Sequence, residues 1–206
     1  MREEANKKKI ILASSSPRRI SLLKNLIPEY HNISVDINEE PRKAELPRNF
    51  VKRMSLEKAR AAAKSFKNEI IIAADTAVVI DGLILGKPAT QKRAGEMLRL
   101  LSGKTHKVMT GISVVDSETG KSYSACVVTK VIMAKLTDNE IKWYIKSGEP
   151  FDKAGGYGIQ GIASLFIERI DGDYFNVVGL PVFTLRKLLE KFGIDLIKIA
   201  AEKKQQ

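Results

Sequence analysis

Apolar and polar positions along the chain change period repeatedly, which predicts strands alternating with helices. A β-prone run near 8–13 precedes helically spaced apolar residues over 17–26, and Pro17 suits the first helical position. The further predicted elements are a strand near 31–37, a helix over 47–65, a strand pair over 69–85, a helix over 90–101, strands over 106–116 and 121–136, a helix from Thr137 to about Ser147, a loop over 148–161, a strand over 163–170 and a final helix over 181–192. The mixture of crossovers and hairpins predicts an α/β fold with a mixed central sheet flanked by helices.

The composition describes an ordinary globular protein. The 206 residues are 44% hydrophobic and 29% charged, enough for one sizeable core or two small lobes around a cleft. One domain is predicted, with its core at about 8–192 and charged terminal arms at 1–7 and 198–206. The sequence contains no apolar run of the ~18–20 residues that span a bilayer. It also lacks a signal-peptide core at the N-terminus and has one cysteine, Cys126, so a cytoplasmic protein without a membrane partner is expected.

Charge and ligand chemistry narrow the candidate partners. The formal net charge of +11 favours polyanions, either nucleotides or nucleic acid. With one cysteine and only His31 and His106, a zinc site is not expected, so any metal would be a hard cation such as Mg²⁺ or Mn²⁺ on carboxylates. The glycine-rich stretches miss the spacing or context of P-loop and Rossmann motifs.

The stretch from Ser14 to Arg19 predicts a phosphate site at a helix N-terminus. Ser16 is a good N-cap, but Arg18 and Arg19 stand in the first turn, where the helix dipole disfavours cations by about 0.3–1 kcal/mol each. A bound phosphate would give the hydroxyls, the free N–H groups and both guanidinium groups a partner. The alternative is that the arginines pair with surface carboxylates.

Asp75 stands among apolar and small residues of a predicted strand, where an aspartate is costly without a partner or a function. It could accept a proton from water or bind a metal, or it could simply cap a turn at a strand end. Lys87 follows one hairpin later and could bring a cation to the same place.

The glycine-rich segment 148–161 permits close approach of a ligand to the backbone. Within it, Lys153 offers charge and Gln160 offers a donor and an acceptor suited to a base edge. The alternative interpretation is a tight irregular turn.

Seven motifs in order resemble the Maf family of nucleoside triphosphate pyrophosphatases. They are Ser14-x-Ser16-Pro17-Arg18-Arg19, Ser55-x-x-Lys58-Ala59, Ala74-Asp75-Thr76-x-Val78, Gly86-Lys87-Pro88, Leu101-Ser102-Gly103-x-x-His106, Glu149-Pro150-x-Asp152-Lys153-Ala154-Gly155 and Tyr157-Gly158-Ile159-Gln160-Gly161. The resemblance implies a fold like that of inosine triphosphate pyrophosphatases, with two lobes around a cleft. It also implies hydrolysis of a nucleoside triphosphate to the monophosphate and pyrophosphate, a divalent cation, and a homodimer.

The resemblance also implies roles for particular residues. The family's proton acceptor falls on Asp75, and a metal site falls on Glu39 with Asp75, although Glu40 is adjacent to Glu39. The phosphate-binding positions of the family fall on Ser14, Ser16, Arg18, Arg19, Lys58 and Lys87. Thr76, Lys153 and Gln160 complete the predicted substrate-binding set. Arg18, Thr76 and Gln160 match the branch that prefers dTTP and UTP.

Two classes of function remain open at this point. One is an enzyme that hydrolyses dTTP and UTP, and the other is a non-catalytic protein of cell-division control that binds nucleotides or nucleic acid. Asp75 and Glu39 would repel a nucleic-acid backbone unless a metal bridged them. An aromatic content of 6% provides no obvious stacking platform for single strands. The enzyme is therefore favoured, with no stable nucleic-acid partner.

Overall fold

A mixed sheet of seven strands forms the centre of the computed structural model, which describes residues 8–203. The strands are β1 (Lys9–Ala13), β2 (His31–Ile33), β3 (Glu69–Ile80), β4 (Leu83–Leu85), β5 (Thr105–Asp116), β6 (Ser122–Met133) and β7 (Ile167–Asp171). Their order is β2-β1-β3-β5-β6-β7, and β4 pairs with β3. β1 is parallel to both β2 and β3, whereas the other pairs are antiparallel. The predicted mixed-sheet α/β fold is confirmed.

Helices cover both faces of this sheet. They are α1 (Pro17–Lys24), α2 (Pro47–Ala63), α3 (Gln91–Leu101), α4 (Asp138–Lys146), α5 (Tyr174–Val178), α6 (Val182–Glu190) and α7 (Leu196–Lys203). Proline begins α1, as the sequence predicts, and α2, and Thr137 with Glu140 forms a capping box at the start of α4. Over the residues described, no helix is long and apolar enough to cross a membrane.

Alternate side chains of β3 point to opposite faces of the sheet and pack into different parts of the core. Ile71 and Ala73 pack against α2, whereas Ile70 and Ile72 pack against α1, α6 and α7. Farther along the second face, Val78 packs with α3 and α4. Neighbouring residues of β3 therefore contact different helices, because successive strand side chains point to opposite faces.

Three strand predictions were too long. The one over 121–136 is confined to Ser122–Met133, and the other two differ for separate reasons. The strand predicted near 31–37 ends at Ile33, because its only partner in the described chain, β1, ends at Ala13, which pairs with Ile33. The strand predicted over 163–170 begins at Ile167, and Ile162–Phe166 form a 3-10 helix instead. In that segment Ala163 and Phe166 are buried while Leu165 is exposed, a spacing that suits a helical turn better than a strand.

The C-terminal region contains more helix than the sequence predicts. The helix over 181–192 is not the final one, since Leu196–Lys203 forms α7 within the segment predicted to be partly a charged arm. Leu196 and Ile199 pack with the α1 and α6 side chains, which gives this helix an apolar anchor. The predicted arm at 1–7 and residues 204–206 lie outside the described residues.

His106 links β5 to the glycine-rich segment. Its Nε2 lies 2.6 Å from the Tyr157 hydroxyl in a shared hydrogen bond, and the two rings meet edge to face. The His106 side chain is buried, and burial lowers its pKa from 6.5 to about 4. The folded chain therefore holds this imidazole neutral at pH values where the unfolded chain protonates it.

This difference predicts an acid-sensitive contribution to stability. As the pH falls from 6.5 to about 4, the free energy of unfolding should lose up to about 3 kcal/mol through His106. His106→Gln should flatten that part of the stability profile in urea titrations at several pH values. His31→Gln, on exposed β2, is the matched control and should keep the wild-type slope. An unchanged slope in His106→Gln would contradict the assignment.

Candidate active site

A cavity of about 710 Å³ opens where β1 ends beside β3. In an open sheet with the strand order 2-1-3, ligands bind at the carboxyl ends of the strands where the connections diverge. The cavity lies at this point of the sheet. Its lining includes ten of the eleven candidate residues, namely Ser14, Ser16, Arg18, Arg19, Glu39, Lys58, Asp75, Thr76, Lys87 and Lys153.

The turn between β1 and α1 presents donors to the cavity. Ser16 occupies the predicted N-cap position, but its side chain makes no capping hydrogen bond, so the first-turn amides of α1 stay available to an anion. The Ser14 hydroxyl accepts from the Ser16 amide at 3.2 Å and from Arg19 at 3.4 Å. Because it accepts in both contacts, its own proton can be donated to a ligand.

The two arginines of this turn have different kinds of partner. Arg18 forms an ion pair with Asp152 at 2.9 Å. For this arginine, the alternative that it pairs with a surface carboxylate is confirmed. Arg19 donates instead to the Gly179 carbonyl at 2.7 Å and to Thr76 Oγ1 at 2.9 Å. Within residues 8–203, Arg19 forms no ion pair with a carboxylate. Burial lowers the Arg19 pKa, while the charges of Asp75 and Glu39 act in the opposite direction.

Asp75 lies on the opposite face of β3 from Thr76, under α2. Its Oδ1 is 2.7 Å from the Lys58 ammonium, and Glu39 Oε1 contacts the same ammonium at 2.7 Å. The Asp75 and Lys58 side chains are 10% and 12% exposed, whereas that of Glu39 is 53% exposed. Two carboxylates therefore converge on one cation at the floor of the cavity.

This convergence bears on the expected metal site. In the part of the chain that is described, no three His, Cys, Asp or Glu side chains gather as a metal cluster. Mg²⁺ commonly binds one or two carboxylates together with substrate phosphates and water, so it does not need such a cluster. The position of the Lys58 ammonium between Glu39 and Asp75 marks a place where these carboxylates accommodate positive charge. The pair fits a hard divalent cation.

The glycine-rich segment brings further cations to the mouth of the cavity. Lys153 donates to the Glu149 carbonyl at 2.7 Å and also contacts Asp152. The Gly155 amide donates to the Gly86 carbonyl at 2.9 Å, which ties this segment to the one that carries Lys87. Gly155 has a φ of +69°, and a side chain there would collide with Val78, so glycine is required.

Gln160 is the one candidate that the structure places outside the cavity lining. Its side chain is exposed, although neighbouring Ile159 lines the cavity. Since Gly158 and Ile159 already line the cavity, a role for Gln160 in reading a base would require its side chain to turn toward the cavity.

Sequence reasoning missed Gly111 as a determinant of this site. Gly111 pairs directly with Asp75 across β5 and β3. A Cβ at Gly111 would overlap the backbone of Val51 and Lys52 in α2. The missing side chain lets α2 lie close against the sheet, and Lys58 follows Val51 by two helical turns on the same helix. A glycine in the middle of a strand pattern, which often marks close backbone approach, was the available signal.

The cavity beside the carboxyl end of β1 is thus lined by arginine and lysine side chains, hydroxyls and two converging carboxylates. The family model of the Maf-like proteins matches residues 9–192, and the chain belongs to this family. A dTTP/UTP pyrophosphatase of Dictyoglomus thermophilum is 45% identical over 192 residues, covering 93% of this chain and 100% of that protein. A dTTP/UTP pyrophosphatase of Methanosarcina barkeri is 44% identical, covering 93% and 98%. Among solved structures, the Staphylococcus aureus Ham1 protein has a TM-score of 0.46 at 19% identity, covering 62% of this chain and 72% of that one.

The close contact at Gly111 predicts that Gly111→Ala displaces α2 and Lys58. The overlap involves backbone atoms, so it should cost about 1–3 kcal/mol of unfolding free energy. Gly95→Ala on α3 is the matched control, because its added Cβ meets chiefly the far end of the flexible Arg99 side chain. Chemical denaturation of both variants measures the difference, and equal stabilities would refute the packing argument.

Proposed function

We propose that this chain hydrolyses dTTP and UTP to the nucleoside monophosphate and pyrophosphate. The observation that carries the proposal is Asp75, a buried carboxylate at the floor of a cavity whose lining is otherwise rich in cations and hydroxyls. The names of the relatives at 44–45% identity support this choice of substrate. The non-catalytic alternative, a nucleotide-binding or nucleic-acid-binding protein of cell-division control, gains no support from the site.

In the proposed complex, the triphosphate lies along the turn between β1 and α1. Ser14, Ser16 and the first-turn amides of α1 donate to phosphate oxygens, as helix N-termini commonly do. Arg18 and Arg19 neutralise phosphate charge, with Arg18 exchanging Asp152 for the substrate. Lys58, Lys87 and Lys153 complete the positive lining.

The reaction needs a water molecule attacking the α-phosphorus, with the bond from that phosphorus to the bridging oxygen of the leaving pyrophosphate breaking. Asp75 accepts the proton of the attacking water, and the water oxygen becomes part of the monophosphate. Negative charge that accumulates on the pyrophosphate is stabilised by the surrounding arginines and lysines. This step requires no covalent intermediate.

A divalent cation such as Mg²⁺ or Mn²⁺ is expected to be held by Glu39 and Asp75, where it would offset charge on the phosphates. With such a cation bound, Lys58 would no longer be needed to neutralise both carboxylates and would be available to contact the substrate. The exposed Glu39 can adjust its position with little hindrance, whereas Asp75 is fixed in the strand.

Loss of the proposed base should abolish most turnover. Asp75→Asn is expected to lower kcat by at least ~10²-fold, the usual scale for removal of a general base. Asp116→Asn is the matched control, because Asp116 and Asp75 are each 7% exposed and each contacts a lysine, Lys8 in the case of Asp116. Asp116 lies outside the cavity lining, so its variant should keep wild-type kcat while losing stability. Pyrophosphate release from folded protein is the measurement, and near-normal kcat in Asp75→Asn would remove the residue from this role.

The wild-type chain should discriminate among bases. A site that hydrogen-bonds a pyrimidine leaves polar groups unpaired with a purine, at roughly 1–3 kcal/mol for each group. We therefore expect kcat/KM for dTTP and UTP to exceed that for ATP and GTP by at least ~10-fold. A panel of triphosphates with Mg²⁺ or Mn²⁺ tests this, and a purine preference would reject the substrate while leaving the reaction class standing. Binding without release of pyrophosphate would favour the non-catalytic alternative.

A further inference from the structure

The Arg19 guanidinium is held by neutral partners only on the described part of the chain. Its Nε–H donates to the Gly179 carbonyl, one Nη2–H donates to Thr76 Oγ1, and Nη1 contacts Ser14 Oγ. A guanidinium has five N–H groups, so two remain for a ligand once these three are used. The direction in which those two point depends on how firmly the other three are fixed.

The Thr76 contact continues into a chain of buried hydroxyls. Thr76 Oγ1 lies 2.9 Å from Thr110 Oγ1, and the Thr110 hydroxyl donates to the Asn176 carbonyl at 2.9 Å. A threonine hydroxyl has a single proton. Because the Thr110 proton is used on Asn176, Thr76 must donate to Thr110, and Thr76 then offers lone pairs to Arg19. The direction of every hydrogen bond in the chain is therefore fixed.

The far end of this chain is anchored in α5. The Asn176 side chain is fully buried, and its Nδ2 donates to the Val108 carbonyl and to Thr129 Oγ1, each at 3.0 Å. The Thr129 hydroxyl in turn donates to the Asp173 carbonyl at 2.9 Å. The C-cap of the same helix is Gly179, the residue whose carbonyl accepts from Arg19. The short helix is thus bound to the sheet by two threonines, only one of which continues to Arg19.

We propose that Thr110 is a positioning residue that orients Arg19 for the phosphates of the substrate. It acts through Thr76, whose hydroxyl it turns so that a lone pair faces the guanidinium. The phosphate role of Arg19 rests on the proposed function, whereas the orientation of Arg19 by Thr110 does not. Thr110 itself is fully buried and lies outside the cavity lining, so it does not touch the substrate.

Three variants separate this role from a general packing role. Thr110→Val keeps the shape of the side chain and removes the hydroxyl, and Thr110→Ser restores the hydroxyl. Thr129→Val is the matched control, because Thr129 is equally buried and also donates to a carbonyl at α5. Each valine variant removes two hydrogen bonds, but only the change at Thr110 breaks the series of hydrogen bonds that leads to Arg19.

Two measurements follow Arg19 directly. Hydrogen exchange of the Arg19 Nε–H, observed by ¹⁵N NMR on the ligand-free protein, reports whether the guanidinium is held. Calorimetric titration with inorganic pyrophosphate reports whether it is oriented for phosphate. In Thr110→Val we expect Nε–H exchange to accelerate and pyrophosphate affinity to fall, each by about tenfold, the scale of one lost hydrogen bond. Thr110→Ser and Thr129→Val should match the wild type in both measurements.

Equal effects of Thr129→Val and Thr110→Val would overturn the proposal, because the influence would then run through α5 as a whole. Unchanged Arg19 exchange in Thr110→Val would also overturn it. If the valine protein does not fold, Thr110→Ala replaces it in the same comparison. If Nε–H exchange accelerates in Thr110→Val but the wild-type protein hydrolyses no triphosphate, the proposed function is rejected and this inference stands. If the wild-type protein hydrolyses dTTP and UTP but Arg19 exchange is unchanged in Thr110→Val, only this inference is rejected.

Discussion

Among the described residues, the central segment of β3 has a strand partner on one edge only, and the site depends on this. Pairing with β1 ends at Ile72 and pairing with β4 begins at Val78, so in residues 8–203 no strand covers residues 73–77 on that side. β5 pairs with the other edge throughout, which keeps the segment extended and rigid. The cavity occupies the gap, and its walls are the end of β1, the start of α1 and the loop after β4. A longer β1 would close the gap.

Because the gap exposes an edge, side chains from both faces of β3 reach one cavity. Asp75 points toward α2 and belongs to a charged network with Lys58 and Glu39. Thr76 points the other way and links the Arg19 guanidinium to the Thr110 hydroxyl. Two consecutive residues thus connect the site to two separate cores, and the strand backbone fixes the distance between them.

Local signals in the sequence were enough to select ten residues that the structure brings to one cavity. Pro17 and the two arginines after it marked the helix start, and Asp75 stood out as a charge within an apolar strand. Partners set by strand register were not accessible in this way. Gly111 matters because it lies opposite Asp75, and Thr110 because it lies opposite Thr76, both 30 or more residues away in the chain. The Arg18 contact with Asp152 depends on how the glycine-rich segment folds back, which no periodicity encodes.

The cations of the cavity differ in the carboxylates that a phosphate must displace before it can bind to them. Asp152 is 56% exposed, and exposed ion pairs contribute about 0–1 kcal/mol, so a phosphate can take Arg18 from it at little cost. Lys58 is 12% exposed between Asp75 and Glu39, and an anion that approaches it meets two negative charges. Positive charge placed near those carboxylates would offset that repulsion. The proposed divalent cation on Glu39 and Asp75 would supply that charge, since Lys58 cannot neutralise both carboxylates and a phosphate at once.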